Sequence, residues 1–297
     1  MVLVSGRLAA ERVTGRDRSG RSARERSGRF AAEGPQAVRE AVAASADATS
    51  AGREPLVLDL YATADAVERH GDVLALAHRA RLRVHEVSEE VLAAMSTTVT
   101  PQGLLAVCSS VTVGLDAALE RRPRLVAVLS RVRDPGNAGT VLRAADAAGA
   151  GAVVLSADSV DVHNPKCVRS TAGSLFHLPV VSGAALDEAL AALRRAGCAV
   201  LAAAGDGEHD LDDLVDAGEG GRRPEPGTPD LRRPTAWLFG NEAQGLAAAE
   251  REAADAVVRV PVHGRAESLN LATAATVCLY ASARAQRRRP ADARPGG

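Results

Sequence analysis

Three short stretches carry residue types and spacings that could do chemistry. In the first, Asp134-Pro135-Gly136-Asn137-Ala138-Gly139-Thr140 runs into Val141, Leu142 and Arg143. Glycines at 136 and 139 permit a tight turn and close backbone approach, and a helix starting there offers unpaired N–H groups to an anion. Arg143, roughly one turn into that helix, can reach the same ligand as Asn137; a capping turn followed by a surface arginine accounts for the same residues. The stretch matches neither G-x-G-x-x-G nor G-x-x-x-x-G-K-[ST], so dinucleotide and nucleoside-triphosphate chemistry is poorly supported. The second stretch, Leu238-Phe239-Gly240-Asn241-Glu242-Ala243-Gln244-Gly245-Leu246, breaks from an apolar run into polar groups between glycines. The third, Val260-Pro261-Val262-His263-Gly264-Arg265-Ala266-Glu267-Ser268-Leu269-Asn270-Leu271, passes through a glycine-containing loop into a helix. Ser268 is a candidate cap of that helix, whereas Asn270 lacks an obvious structural reason at the head of an apolar run. His263 is a tempting base but reads better as an exposed loop residue.

The elements that must position these groups are short, apolar and β-branched. RLVAVLS (124–130), GAVVLSA (151–157), LPVVSG (178–183), CAVLAAA (198–204), TAWLFG (235–240) and AVVRVPV (256–262) read as strands. AGTVLRAADAAG (138–149), LDEALAALRRAG (186–197) and SLNLATAATVCLYASARAQ (268–286) read as helices between or after them. Continuous apolar strands alternating with helices indicate an α/β fold with a parallel sheet covered on both faces. Ligands of such sheets bind outside the carboxyl ends of the strands. All three stretches fall at strand ends, which implies one shared pocket. Asp216–Arg233, rich in Gly, Pro and charge, reads as a mobile insertion.

The first hundred residues read differently. Residues 1–29 hold eight arginines against Glu11, Asp17 and Glu25, a net charge of +5. Such a Gly/Ser/Arg-rich arm cannot bury a core and is expected to be disordered, as is the tail 287–297. Arginines on a flexible arm suit phosphate contacts with RNA; a merely solvated tail has the same composition. Pro35 suits the first turn of a helix over QAVREAVAASA. LVLDLYA (56–62) reads as a strand, ADAVERHG as a short helix ending at Gly71, and VLALAHR and LRVHEV as candidate strands. Ser88 is placed to cap a helix over Glu89–Met95, and GLLAVCSSV (103–111) closes an α/β domain of residues 30–111, followed by a linker at 112–122.

Composition excludes several classes. The chain has 297 residues, 46% hydrophobic and 25% charged, with a net charge of −1. That profile can bury a sizeable core, and no stretch reaches the ~20 apolar residues of a membrane span. Arg7 and Arg12 without an apolar run argue against a secretory signal, so a soluble cytoplasmic protein is expected. Cys108, Cys167, Cys198 and Cys278 stand far apart without Cys-x-x-Cys or histidine at ligand spacing, which disfavours structural zinc and a disulfide framework. Buried free thiols are the expectation.

Taken in order, the three stretches resemble the SpoU/TrmH-type (SPOUT) family of AdoMet-dependent RNA ribose 2′-O-methyltransferases. N-x-G-x-x-x-R corresponds to Asn137, Gly139 and Arg143, N-E-x-x-G to Asn241, Glu242 and Gly245, and G-x-x-x-S-L-N to Gly264, Ser268, Leu269 and Asn270. The resemblance covers most of 123–286, and residues 30–111 are similar to the family's small ribosomal-protein-like RNA-binding domain. It implies a C-terminal parallel-sheet domain with a deep trefoil knot and a homodimer acting on RNA, ribosomal more than transfer RNA. It implies S-adenosyl-L-methionine held by Gly240, Val260 and Leu269 with Phe239, Asn241, Pro261, Val262 and Ser268. It also implies a catalytic group of Arg143, Asn137, Glu242, Ser268 and Asn270, and no metal. Arg143 would be base or positioning group; a guanidinium is a poor proton acceptor near neutral pH, which favours positioning. A catalytically silent RNA-binding protein of the same fold is the alternative.

Overall fold

Apolar β-branched runs and alanine-rich helical runs build two separate units in the computed structural model, which describes residues 21–219 and 225–287. The first unit takes residues up to Val111 together with Asp161–His177; the second takes Thr112–Val160 and the chain from Leu178.

The first unit contains α1 (Arg21–Ser27), β1 (Arg29–Glu33), α2 (Pro35–Ser50), β2 (Val57–Ala62), α3 (Ala64–Arg69), α4 (Gly71–Arg79), β3 (Val84–Glu86), α5 (Glu89–Met95) and β4 (Leu104–Ser109). Its sheet runs β1-β4-β2-β3, with β4 antiparallel to both neighbours and β2 parallel to β3. Pro35 opens α2, and the Ser88 hydroxyl caps α5 by accepting from the Val91 N–H. VLALAHR is helical rather than a strand: Val73, Leu74 and Ala77 are buried, at helical spacing. Gly71 accordingly begins α4 instead of ending α3. The expected arm loses its last nine residues to structure, because Arg24 finds Asp161 at 2.7 Å with both side chains nearly buried. Residues 1–20 lie outside the described residues. The segment 161–177, read in sequence as part of the C-terminal domain, packs here because His163 stacks on Phe30 at 4.4 Å and Arg169 pairs with Glu33.

The second unit contains α6 (Leu115–Leu119), β5 (Leu125–Leu129), α7 (Pro135–Ala148), β6 (Ala152–Ser156), β7 (Val180–Ala184), α8 (Leu186–Arg195), β8 (Ala199–Ala203), β9 (His209–Asp210), α9 (Leu211–Glu219), β10 (Thr235–Phe239), α10 (Ala248–Glu252), β11 (Ala256–Arg259) and α11 (Leu271–Arg287). Seven parallel strands run β7-β6-β5-β10-β8-β11-β9. Strands β5, β6 and β10 are buried throughout, as strands covered on both faces must be. Trp237, fully buried on β10, donates from its indole to the Ser282 hydroxyl on α11 at 2.9 Å. The expected linker is part of this unit: Val113 donates to the Val180 carbonyl, and α6 buries Ala118 and Leu119. β11 stops at Arg259 rather than Val262, since Pro261 has no N–H for a ladder. Asp216–Glu219, expected to open an insertion, instead complete α9. All four cysteines are buried free thiols.

Candidate active site

The carboxyl ends of β5, β10 and β11 deliver the three stretches to one edge of the sheet. At β5, Asp134 caps α7 by accepting from the Asn137 N–H at 2.8 Å. Gly136 and Gly139 lie inside α7 rather than in a turn, and Gly139 is buried. At β10, the loop folds back on itself. Asn241 and Gly245 exchange backbone hydrogen bonds of 3.1 and 2.8 Å, and a Cβ on Gly240 would lie 2.4 Å from the Gly245 carbonyl carbon. Only glycine fits at 240, and Gly245 adopts a φ of +64°. After β11, residues 262–270 are exposed along their whole length.

One chain of side-chain hydrogen bonds joins all three loops. The Asn270 carbonyl oxygen accepts from the Ala272 and Thr273 N–H groups, so Asn270, not Ser268, caps α11. This leaves the Asn270 amide nitrogen to donate to Asn137 at 3.1 Å. Asn137 in turn donates to the Glu242 carboxylate at 3.2 Å. Glu242 also accepts the N–H groups of Arg133 and Asp134 at 3.3 and 3.1 Å. The helix N-terminus expected to receive an anion is thus already served by two carboxylates of the protein itself.

Beside this chain lies a cavity of about 730 Å³, within the usual range of small-molecule and cofactor sites. Phe239, Gly240, Asn241, Val260, Pro261, Val262, Ser268 and Leu269 all line it, and so does Glu242. Asn137 and Asn270 lie next to it, in the groove between α7 and α11. Arg143 is not brought into this cluster: it is exposed on α7 and makes no hydrogen bond or ion pair among the described residues. His263 is exposed too, 3.5 Å from Asp212.

The sequence reading missed a wall of the cavity. Gly205 and Asp206 follow β8, and Arg251 on α10 pairs with Asp206 at 2.9 Å, which holds that carboxyl below the usual range. The run AAAGDG after a strand was the available signal, since it repeats the strand-to-glycine break seen at Gly240.

Residues 124–280 match the model of the SpoU rRNA Methylase family, and residues 19–106 match an MRM3-like substrate binding domain. The chain belongs to the SpoU rRNA methylase family. It is 33% identical to the 23S rRNA (guanosine-2′-O-)-methyltransferase RlmB of Bordetella pertussis, over 71% of this chain and 82% of that one. It is 34% identical to the 23S rRNA (uridine(2479)-2′-O)-methyltransferase of Streptomyces viridochromogenes, over 62% and 61%. Among solved structures, the AdoMet-bound rRNA methyltransferase of Sinorhizobium meliloti is similar with a TM-score of 0.74 and 27% identity, covering 95% and 97% of the two chains. The cavity of this SpoU methylase fits such a cofactor by its chemistry. Gly205 and Gly245 expose backbone, buried Gly240 lets the loop approach closely, Leu246, Val260 and Leu271 offer apolar surface for a purine, and Asp206 and Glu267 add carboxylates that suit a cationic group.

Proposed function

We propose that this chain methylates a ribose 2′-hydroxyl of 23S ribosomal RNA, using AdoMet, in the cytoplasm. The observation that carries the reading is the chain Glu242–Asn137–Asn270, which locks three strand-end loops beside the cavity that Glu242 also lines. AdoMet, when bound, supplies an electrophilic methyl on a cationic sulfur. Gly240, Val260 and Leu269 hold it through backbone, with Phe239, Asn241, Pro261, Val262 and Ser268 completing the wall. Glu242 fixes the loops, and Asn137 and Asn270 orient the ribose, so that the 2′-oxygen lines up for transfer. The 2′-hydroxyl must also give up its proton, which passes to water at the exposed edge of the site. Arg143 serves that end of the reaction by holding the hydroxyl and the neighbouring phosphate.

The same reading includes a trefoil knot, supported by the late insertion of β10 between β5 and β8 and by the packing of α11 against α7. It includes a homodimer, supported by the exposed apolar Val277 and Tyr280 on α11. A second copy on that face would bring Arg143 into a shared site. Residues 30–111 hold the RNA.

Incubation with tritiated AdoMet and RNA fractionated into large rRNA, small rRNA and tRNA tests the reading. The expected result is alkali-resistant label at one 23S position. Label confined to tRNA, or none in any fraction while AdoMet stays bound, would sink it.

A further inference from the structure

The loop from Gly240 to Ala247 forms a wall of the cavity, yet residues 242–245 are exposed and have no regular ladder beyond the Asn241–Gly245 exchange. Both of its ends are tied to one residue outside the cavity. At the near end, the Asn241 amide donates to the Arg131 carbonyl at 2.9 Å. At the far end, the Ala247 N–H donates to the Glu250 carboxylate at 2.6 Å, and that carboxylate receives Arg131 in two hydrogen bonds of 3.0 and 2.6 Å. The Ser130 hydroxyl donates to Glu250 as well.

Arg131 holds this position against its own backbone preference. Its φ is +54°, in the left-handed region that a side chain bearing a Cβ enters at a cost. The Ser156 hydroxyl accepts its N–H at 3.0 Å, so amide, carbonyl and guanidinium are each committed. A strained residue with every polar group engaged is over-determined by its surroundings, and here those surroundings are the two ends of one loop.

We infer that the Arg131–Glu250 pair is a positioning clamp that presets the Gly240–Ala247 loop for AdoMet. The inference rests on the cofactor reading given above. Neither residue lines the cavity, so both act through the loop. Removing the clamp lets the loop sample open arrangements, and AdoMet then has to reorder it on binding. RNA binding is untouched.

Three measurements on the full-length protein test this. In the cofactor-free protein, Arg131→Ala should speed hydrogen exchange of the Ala243–Ala247 amides by about tenfold. AdoMet affinity, read by calorimetry, should fall by about tenfold, and KM for AdoMet should rise with it while KM for RNA and kcat hold. Arg131→Lys should recover part of the affinity, since an ammonium restores the charge but not the two-pronged geometry. Arg131→Gly should match Ala in AdoMet affinity despite relieving the backbone, which separates clamp from strain. The double variant Arg131→Ala/Glu250→Ala should be no worse than the worse single variant, because both remove one interaction. Unchanged loop exchange and AdoMet affinity in Arg131→Ala would overturn the clamp, and so would equal losses in KM for AdoMet, KM for RNA and kcat. Failure of the wild-type protein to bind AdoMet would overturn the cofactor reading, and the clamp with it.

Discussion

Glu33 in the first unit and Glu242 in the second each gather donors from neighbouring loops, but they do so under opposite conditions. Glu33 accepts from the Thr97 N–H and hydroxyl at 3.0 and 2.8 Å, the Ser96 hydroxyl at 2.9 Å and Arg169 at 3.3 Å, with its side chain 5% exposed. These four hydrogen bonds use the acceptor capacity of the carboxylate. Nothing is left over for a ligand, and the network fastens the segment 161–177 to β1 and to the residues after α5. Glu242 accepts three hydrogen bonds and stays exposed beside a cavity. A buried carboxylate must be satisfied by the protein because its desolvation is otherwise uncompensated. An exposed one can be left partly open because water stands in until a ligand arrives. The structural cluster and the candidate-site cluster therefore differ in closure more than in residue type.

The largest expected effect is at Arg143, which the proposed second copy would bring to the open site. Arg143→Ala is expected to lower methyl transfer by about 10³-fold while calorimetric AdoMet binding persists; loss of both would make Arg143 a structural residue. Glu33→Ala should do the reverse. It takes the ion pair from Arg169, which keeps the Thr97 hydroxyl, and strands the Thr97 N–H, destabilising the first unit by about 2 kcal/mol once the exposure of Arg169 is allowed for. Denaturant melts should record that loss with AdoMet affinity unchanged.

A smaller effect comes from pH. Burial against Phe30 pushes His163 down to about 4, with Asp161 acting upward and Arg24 downward. The unfolded chain takes up this proton near pH 6.5 and the folded unit does not. Stability is therefore complete above about pH 6.5 and declines toward pH 4, by about 1–2 kcal/mol at pH 5. His163→Phe should flatten that slope in urea titrations at pH 5 and 7; an equal slope in both proteins would assign it to other groups. The smallest effect is at Asn270→Ala, which removes the cap of α11 at about 1 kcal/mol and frees Asn137. Its signature is a drop in kcat larger than the lost stability explains. A loss of stability alone would leave Asn270 a cap and nothing more.

Much of the second unit was legible because its signals are local. A strand buried on both faces is a continuous apolar run, which is why β5, β6, β8 and β10 could be read within a residue or two. Strand ends breaking into glycine and asparagine at 134–140, 240–246 and 260–271 marked the three loops that the structure joins at one edge of the sheet. Where local signals conflicted, the reading failed. VLALAHR alternates like a strand, but it packs Val73, Leu74 and Ala77 as one helical face. Arg21–Ser27 looked unable to hold structure because its partner, Asp161, lies 137 residues from Arg24.

The sequence by itself determined the alternation of strands and helices in the second unit, the positions of the three polar loops and the cavity walls those loops supply, because each depends on neighbours along the chain. Only the tertiary structure decided that Asn270 rather than Ser268 caps α11, that Glu242 serves the head of α7, and that Arg131 ties both ends of a loop more than a hundred residues downstream. Those outcomes depend on the direction of a carbonyl, the second nitrogen of an amide and the second oxygen of a carboxylate. Such directions are fixed only when distant segments are brought within hydrogen-bonding distance.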